Sequence, residues 1–226
     1  MNYSYMLKFE HAIIMAAGRG MRMMPLTDVI PKAMAPFNGS TIIADGINNI
    51  QNLIDNLYIT VGYKGATLSE YVINMGVSAV FNTTGKGNAW WVYNTLMKNI
   101  NGPVLVLTCD NIVKLDYEKM LADYYSFNEP ACMVIPVKPV SGLDGDYIFH
   151  RNNIIEKLNR NEESDFYCSG IQIINPLKIN QLTKKVDSFY DLWEQLIKIN
   201  ELYSSNIYPE HWFTVDTVEQ LKRINS

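Results

Sequence analysis

The sequence predicts an α/β fold, a Rossmann-like three-layer sandwich in which a mostly parallel central sheet carries helices on both faces. Three observations point to it. Short apolar runs alternate with helix-period segments over the first 137 residues, the rhythm of βαβ units. The runs 12–15 and 104–107 are continuously apolar rather than alternating, as in strands covered on both sides. The first run ends in a cluster of small residues, Ala16, Ala17, Gly18 and Gly20, and open α/β sheets bind their ligands just beyond the carboxyl ends of the strands.

Taken in order, the pattern predicts a strand over 12–15, a helix near 42–53, a strand over 57–61, a helix near 67–75 and a strand over 79–81. A helix over 89–97, a buried strand over 104–107, a helix over 117–125 and a strand over 132–137 continue the series. After Pro139 the segments become short and alternating, at 147–150, 154–158 and 167–174, before helices near 189–199 and 218–224. No Pro/Gly/Ser-rich linker, low-complexity run or internal repeat divides the chain. The expectation is one domain over 1–226, with a first part (1–137) and a second (138–226) that folds over it as a lid.

Composition excludes several classes of function. The 226 residues carry 19 Lys and Arg against 23 Asp and Glu, a net charge of −4, so no polybasic surface for nucleic acid or anionic lipid is expected. No run approaches 18 apolar residues and the first ten lack the apolar core of a signal peptide, so neither a membrane span nor export is expected. Cys109, Cys132 and Cys168 are widely spaced in apolar or small-residue surroundings, which suggests reduced thiols in a cytoplasm and not a zinc site.

The chemistry concentrates in residues 11–37, HAIIMAAGRGMRMMPLTDVIPKAMAPF. Ala16, Ala17, Gly18 and Gly20 remove bulk where the chain turns, leaving main-chain N–H groups free to face an anion. Arg19, Arg22 and Lys32 add cations for phosphate oxygens. A dinucleotide-binding turn would need a third glycine where Met23 stands, and a Walker A loop would need Gly-Lys-Ser/Thr where the chain has Gly20-Met21-Arg22. A second signal is Thr108-Cys109-Asp110-Asn111, a polar tetrad ending an apolar strand. Asp110 there suits Mg²⁺, which typically takes one or two protein carboxylates together with substrate phosphates.

Residues 15–27, Met-Ala-Ala-Gly-Arg-Gly-Met-Arg-Met-Met-Pro-Leu-Thr, followed by Pro31-Lys32-Ala33-Met34, closely resemble the signature of the sugar-phosphate nucleotidyltransferases, L-A-A-G-x-G-x-R-L-x-P-L-T and then P-K-x-L. The resemblance implies the nucleotide-diphospho-sugar transferase fold, Mg²⁺ as cofactor, and an NTP held by Ala16, Ala17, Gly18, Arg19, Gly20 and Met21. It implies catalytic roles for Arg22, bracing the β- and γ-phosphates, and for Lys32, beside the α-phosphate and the acceptor phosphate. It places Asp110 at the nucleotide and metal, and a second metal carboxylate near the C-terminus. Many relatives carry that carboxylate where this chain has Thr214; Val215-Asp216-Thr217 matches the V-D-T of choline-phosphate and ketodeoxyoctonate cytidylyltransferases, so Asp216 is the candidate. The alternative for Asp216 is a turn acid capping the last helix beside Thr217.

The segment Phe81-Asn82-Thr83-Thr84-Gly85-Lys86-Gly87-Asn88-Ala89 resembles the family's L-G-T-G-G-A loop over the base, matching at Gly85 and Gly87. Asn88 could read a pyrimidine with its amide, as in small bacterial choline-phosphate cytidylyltransferases, or start the next helix as an N-cap. Trp90 and Trp91 point to different sides of that helix, so at most one should meet ligand. For the acceptor, Ile155-Glu156-Lys157 and the turn at Gly170 resemble the family's I-x-E-K strand and A-G-I-Y turn, giving Glu156 for a hydroxyl, Lys157 for the acceptor phosphate and Gly170 for close backbone approach. Asp144 and Asp146 are further candidates for a hydroxyl or amine, or ordinary turn residues.

These residues together predict a Mg²⁺-dependent, monofunctional transferase of NTP, with CTP or UTP favoured, onto a phosphorylated small metabolite. A sugar 1-phosphate for bacterial surface polysaccharide heads the expectation, with residues 1–137 holding nucleotide and 138–226 the acceptor. Two alternatives stand beside it. One is a cytidylyltransferase for choline phosphate or another phosphorylated amine or amide, with Trp90, Trp193, Tyr203 or Trp212 contributing to an aromatic cage. The other is a nucleotide-sensing protein without turnover, motivated by Thr214.

Overall fold

A computed structural model describes residues 7–143 and 145–225. One nine-stranded sheet runs through both halves of the chain, in the order Ala79–Asn82, Asn56–Val61, His11–Ala16, Val104–Thr108, Tyr167–Ile174, Cys132–Val137, Leu202–Ser204, Ile154–Asn159, Asp146–Arg151. The first four strands are mutually parallel. Tyr167–Ile174 and Ile154–Asn159 alone run against the rest.

Side-chain alternation along each strand sorts the core into two layers. Ala12, Ile14 and Ala16, with Leu57, Ile59 and Val61, bury against Ile43, Ile47, Leu68, Val72, Met120 and Tyr124 from helices Ile42–Ile50, Gly65–Asn74 and Tyr117–Ser126. On the opposite face Ile13, Val104 and Val106 meet Trp91, Ile179, Phe189, Leu192 and Trp193 from helices Trp90–Asn94, Pro176–Leu182 and Phe189–Lys198. Each such aliphatic or aromatic side chain contributes about 1.5–3 kcal/mol by leaving water. Most helices start on the side chain that satisfies a free first-turn amide: Thr41 Oγ1 accepts from Ala44 N, Asp116 Oδ1 from Lys119 N, Asn175 Oδ1 from Lys178 N and Ser188 Oγ from Asp191 N.

Three expectations change. The helix expected over 89–97 is two pieces, Trp90–Asn94 and a 3₁₀ turn Leu96–Asn99, because the Thr95 hydroxyl donates to Trp91 O at 2.7 Å and accepts from Met97 N at 3.2 Å, competing with the helical ladder. The lid expected after residue 138 is not a separate layer: Tyr167–Ile174 inserts between Val104–Thr108 and Cys132–Val137, continuing the sheet. A two-stranded antiparallel ribbon, Asn111–Val113 with Trp212–Thr214, lies outside the main sheet and was not anticipated. Among the described residues no helix is long and apolar enough to cross a membrane.

Candidate active site

The turn after the first strand is built around Gly20. Its φ of +66° is in the left-handed region, and a Cβ there would sit 2.8 Å from Lys32 Cβ, so the bare glycine is what lets the Lys32 stem pass. The Gly20 carbonyl is held by Thr27 Oγ1 at 2.9 Å and by Met23 N at 2.9 Å. Gly18 does not have a positive φ, and open space surrounds it. Ala17 is pinned from the side: Tyr63 N donates to Ala17 O at 3.1 Å, and Gly62 packs so close that a Cβ would lie 2.6 Å from that oxygen.

From this turn the Lys32 ammonium reaches two acids. Nζ donates to Asp110 Oδ2 at 2.6 Å and to Asp216 Oδ1 at 2.7 Å, and an Arg22 guanidinium nitrogen lies 3.0 Å from the same Asp216 oxygen. Residues 184 apart in sequence meet because of the ribbon. Thr214 pairs with Asn111 in its register, and one step further Val215 N donates to Asp110 O at 3.0 Å, which brings Asp216 beside Asp110. Asp216 is not a helix cap. Thr217 takes that role, its Oγ1 accepting from Gln220 N while Gln220 Oε1 accepts from Thr217 N and Asp216 N, a reciprocal box that leaves the Asp216 carboxylate to the cations. Thr214 is buried in the ribbon.

Lys32 is nearly enclosed, with 11 % of its side chain exposed. Burial alone would lower its pKa, but the charges of Asp110 and Asp216 outweigh that and hold it above the ordinary lysine value, so the ammonium stays protonated. Cys109, beside this cluster, is pushed up to about 12, first by burial and then by the negative charge of Asp110. Cys168 is likewise raised to about 12 by burial, and Cys132 is raised by burial as well.

The turn and the acids face one cleft of about 760 Å³. Ala17, Gly18, Arg19, Gly20, Met21, Arg22, Lys32, Asp110 and Asp216 line it, as do Gly85, Gly87 and Asn88 from the loop after Ala79–Asn82. Ala16 lies beneath, buried, its amide donating to Thr60 Oγ1 at 3.2 Å. A larger cavity of about 1210 Å³, bordered by Phe9, Asn49, Tyr117 and Tyr208, contains none of these residues.

Asn88 does not read as a free amide. Its Oδ1 accepts from Phe189 N at 2.9 Å, which anchors the amide and leaves its NH₂ group as a donor for a ligand, and the N-cap of Trp90–Asn94 is Ala89. Beside it Ala89 N donates to Asp187 O at 2.9 Å, and a Cβ on Gly87 would lie 2.1 Å from that oxygen. The loop is therefore fastened to the start of helix Phe189–Lys198. Trp91 lines the cleft while Trp90 packs under Lys86, and an aromatic wall continues from Trp91 through Phe189 and Trp193 to Tyr190 at ring separations of 6.3, 5.8 and 5.7 Å. Among the described residues, the buried donors Trp91 Nε1 and Gln172 Nε2 have no hydrogen-bond partner.

The acceptor candidates are more scattered. Gly170 does not itself line the cleft; at φ +80° it packs against Thr108, which does, and an added Cβ would lie 3.2 Å from Thr108 Cγ2. Glu156 and Lys157 do not line the cleft; both are exposed, Glu156 paired to Arg151 at 3.2 Å and Lys157 to Glu162. A register shift in the pairing with Asp146–Arg151 falls between Ile155 and Lys157, at Glu156. Asp146 is buried and accepts from Arg160 Nε at 2.9 Å and from the Tyr190 hydroxyl. Asp144 lies outside the described residues. The aromatic residues proposed for a cage do not converge: Tyr203 packs on the opposite face of the sheet from Trp193, and Trp212 belongs to a separate cluster with Val137 and Leu143.

Known proteins resemble this chain in sequence and in fold. The family model described as nucleotidyl transferase matches residues 11–221. The chain belongs to that family. It is 31 % identical over 167 residues to the bifunctional protein GlmU of Methanococcus aeolicus and 30 % identical over 176 residues to that of Methanocaldococcus jannaschii, covering 71 % and 77 % of this chain. The matched stretches span 39 % and 42 % of those relatives. Among solved structures, the inositol-1-phosphate CTP transferase from T. maritima superposes with a TM-score of 0.76 at 17 % identity over 96 % of this chain and 93 % of its own. The CTP:phosphocholine cytidylyltransferase of Streptococcus pneumoniae does so at 0.73 and 20 % identity, over 97 % and 98 %. Both share the fold of this nucleotidyl transferase.

Two outcomes are expected. Gly87→Ala meets backbone and should cost about 2–4 kcal/mol by overpacking and lost hydrogen bonds, whereas Gly85→Ala, at φ +72° in open space, should cost about 1 kcal/mol; urea denaturation checks the order. The thiols should be inert to a disulfide reagent at pH 8 until denaturant is added. Since each is raised in the folded state, the native protein keeps protons that the unfolded chain releases above pH 9, and stability should fall as pH rises from there toward 12.

Proposed function

We propose that this chain transfers a nucleotidyl group from an NTP to a phosphorylated small metabolite, a sugar 1-phosphate in first place, releasing pyrophosphate. The observation that carries the proposal is the meeting of Lys32, Asp110 and Asp216 at the mouth of a glycine turn. In this reading the part over 1–137 holds nucleotide, the part over 138–226 supplies Asp216 and faces the acceptor, and the reaction runs in the cytoplasm, feeding surface polysaccharide.

The donor set fits Mg²⁺. Two carboxylates, 24 % and 23 % exposed, already converge on one positive charge, and among the described residues no cluster of three or more His, Cys, Asp or Glu side chains is placed to hold a metal. That leaves coordination positions for phosphate oxygens and water, the usual arrangement for this ion. Asp110 and Asp216 would hold it, and it would neutralise charge on the phosphates being separated.

The protein's own part is placement and charge. Main-chain amides around Gly18 to Met21 hold phosphate oxygens, Arg22 braces the leaving pyrophosphate, and Lys32 stabilises charge that builds on the α-phosphate as the acceptor oxygen attacks in line. No nucleophilic side chain is needed, in keeping with a raised, neutral Cys109 in the cleft. The NH₂ group of Asn88 suits the O2 carbonyl common to cytosine and uracil, which supports CTP or UTP. The CTP-using neighbours and Val215-Asp216-Thr217 favour, as second reading, a cytidylyltransferase for choline phosphate or another phosphorylated amine or amide.

The test is pyrophosphate release with each of the four NTPs against sugar 1-phosphates and choline phosphate, with and without Mg²⁺. Release with a sugar 1-phosphate, stopped by chelator, is expected. Strict use of CTP with choline phosphate would select the second reading, and nucleotide-dependent stabilisation without release for any acceptor would leave only a sensing protein. Lys32→Ala should lower kcat about 10²–10³-fold while changing nucleotide affinity far less, because its charge matters most in the transition state.

A further inference from the structure

We infer that Asn111 is a positioning residue that sets the geometry of the Asp110 and Asp216 carboxylates, and through it the affinity for a divalent cation; the inference rests on the proposed metal-dependent site. Asn111 directly follows Asp110. Its Nδ2 donates to Thr108 Oγ1 at 2.6 Å and to Ser169 O at 3.1 Å, and its Oδ1 accepts from Trp212 Nε1 at 2.9 Å. Both amide hydrogens and the carbonyl are thus engaged.

The three partners lie on three segments that each lead to a candidate site residue. Thr108 ends the strand leading to Asp110, Ser169 precedes Gly170 in Tyr167–Ile174, and Trp212 opens the ribbon strand leading to Asp216. Backbone bonds of the ribbon fix Asp216 alongside Asp110 but say nothing about how the ribbon is rolled against the main sheet. The Asn111 amide supplies that constraint, since two of its bonds go to the sheet and one to the ribbon. Trp212 is buried against Val137, Leu143 and Tyr167, so its indole N–H needs an acceptor. Few side chains could replace this one. Aspartate keeps an acceptor for Trp212 but loses the donor to Ser169 O and sets a further negative charge beside Asp110.

Residues that orient metal ligands from behind typically change metal affinity about 10–100-fold when removed. The experiment measures Mn²⁺ affinity by electron paramagnetic resonance, with a non-hydrolysable NTP analogue present, for the wild type, Asn111→Ala, Trp212→Phe and the double variant. Melting temperature is recorded alongside. Asn111→Ala is expected to weaken Mn²⁺ about 10–100-fold. Trp212→Phe should weaken it less, and should add little in the Asn111→Ala background, because both act through one bond. In turnover assays kcat should fall with the acceptor KM little changed.

Unchanged Mn²⁺ affinity in Asn111→Ala would overturn the inference, whatever the melting temperature, and so would full additivity of the two substitutions. Should Asn111→Ala fail to fold, Trp212→Phe decides: unchanged affinity overturns it and weakened affinity supports it. A wild type that binds no Mn²⁺ overturns it as well. A wild type that binds Mn²⁺ and nucleotide yet transfers to no acceptor sinks the proposed reaction, while the affinity series still judges Asn111.

Discussion

Two carboxylates held side by side repel each other, and everything around the cleft answers to that constraint. Asp110 and Asp216 tolerate their proximity because one ammonium, fixed at 2.6 and 2.7 Å, lies between them. Lys32 can stand there only because Gly20 has no side chain to block its stem. The strand His11–Ala16 delivers that glycine to the rim of the sheet, and its neighbour Val104–Thr108 delivers Asp110 to the same rim. The second acid comes by another route, through a three-residue ribbon whose last backbone bond, Val215 to Asp110, sets the spacing. Charge, glycine and register therefore depend on one another.

The glycine-turn half of this arrangement was legible in the sequence because its signals are local. Small residues, cations and a prolyl-lysine step follow one another within 17 positions from Ala16 to Lys32, and uninterrupted apolar runs mark the parallel strands on either side. Asp110 was legible for the same reason, as a polar break in an apolar run. Asp216 had no local physical signal and was reached only through resemblance, since the ribbon that brings it in is three residues long on each side and carries no periodicity. The strand Leu202–Ser204 escaped notice on the same ground.

The acceptor side was less legible. Glu156 and Lys157 lie on a strand near the far edge of the sheet from the glycine turn, and nothing in Ile-Ile-Glu-Lys announces that placement or the register shift within it. Asn88 shows a different limit. Its type was compatible with base reading and with capping its own helix, whereas the oxygen in fact binds an amide 101 residues away. Aromatic residues, too, reveal burial but not company: Trp193 and Tyr203 both sit in packed surroundings, on opposite faces of one sheet.

The fastening of the Gly87 to Ala89 segment onto Asp187 and Phe189 bears on protein engineering. Grafting the glycine loop of a relative alone would leave a foreign backbone facing an unmatched docking strip. A transplant has to carry 187–189 with it, so that two stretches a hundred residues apart are inherited as a single cassette.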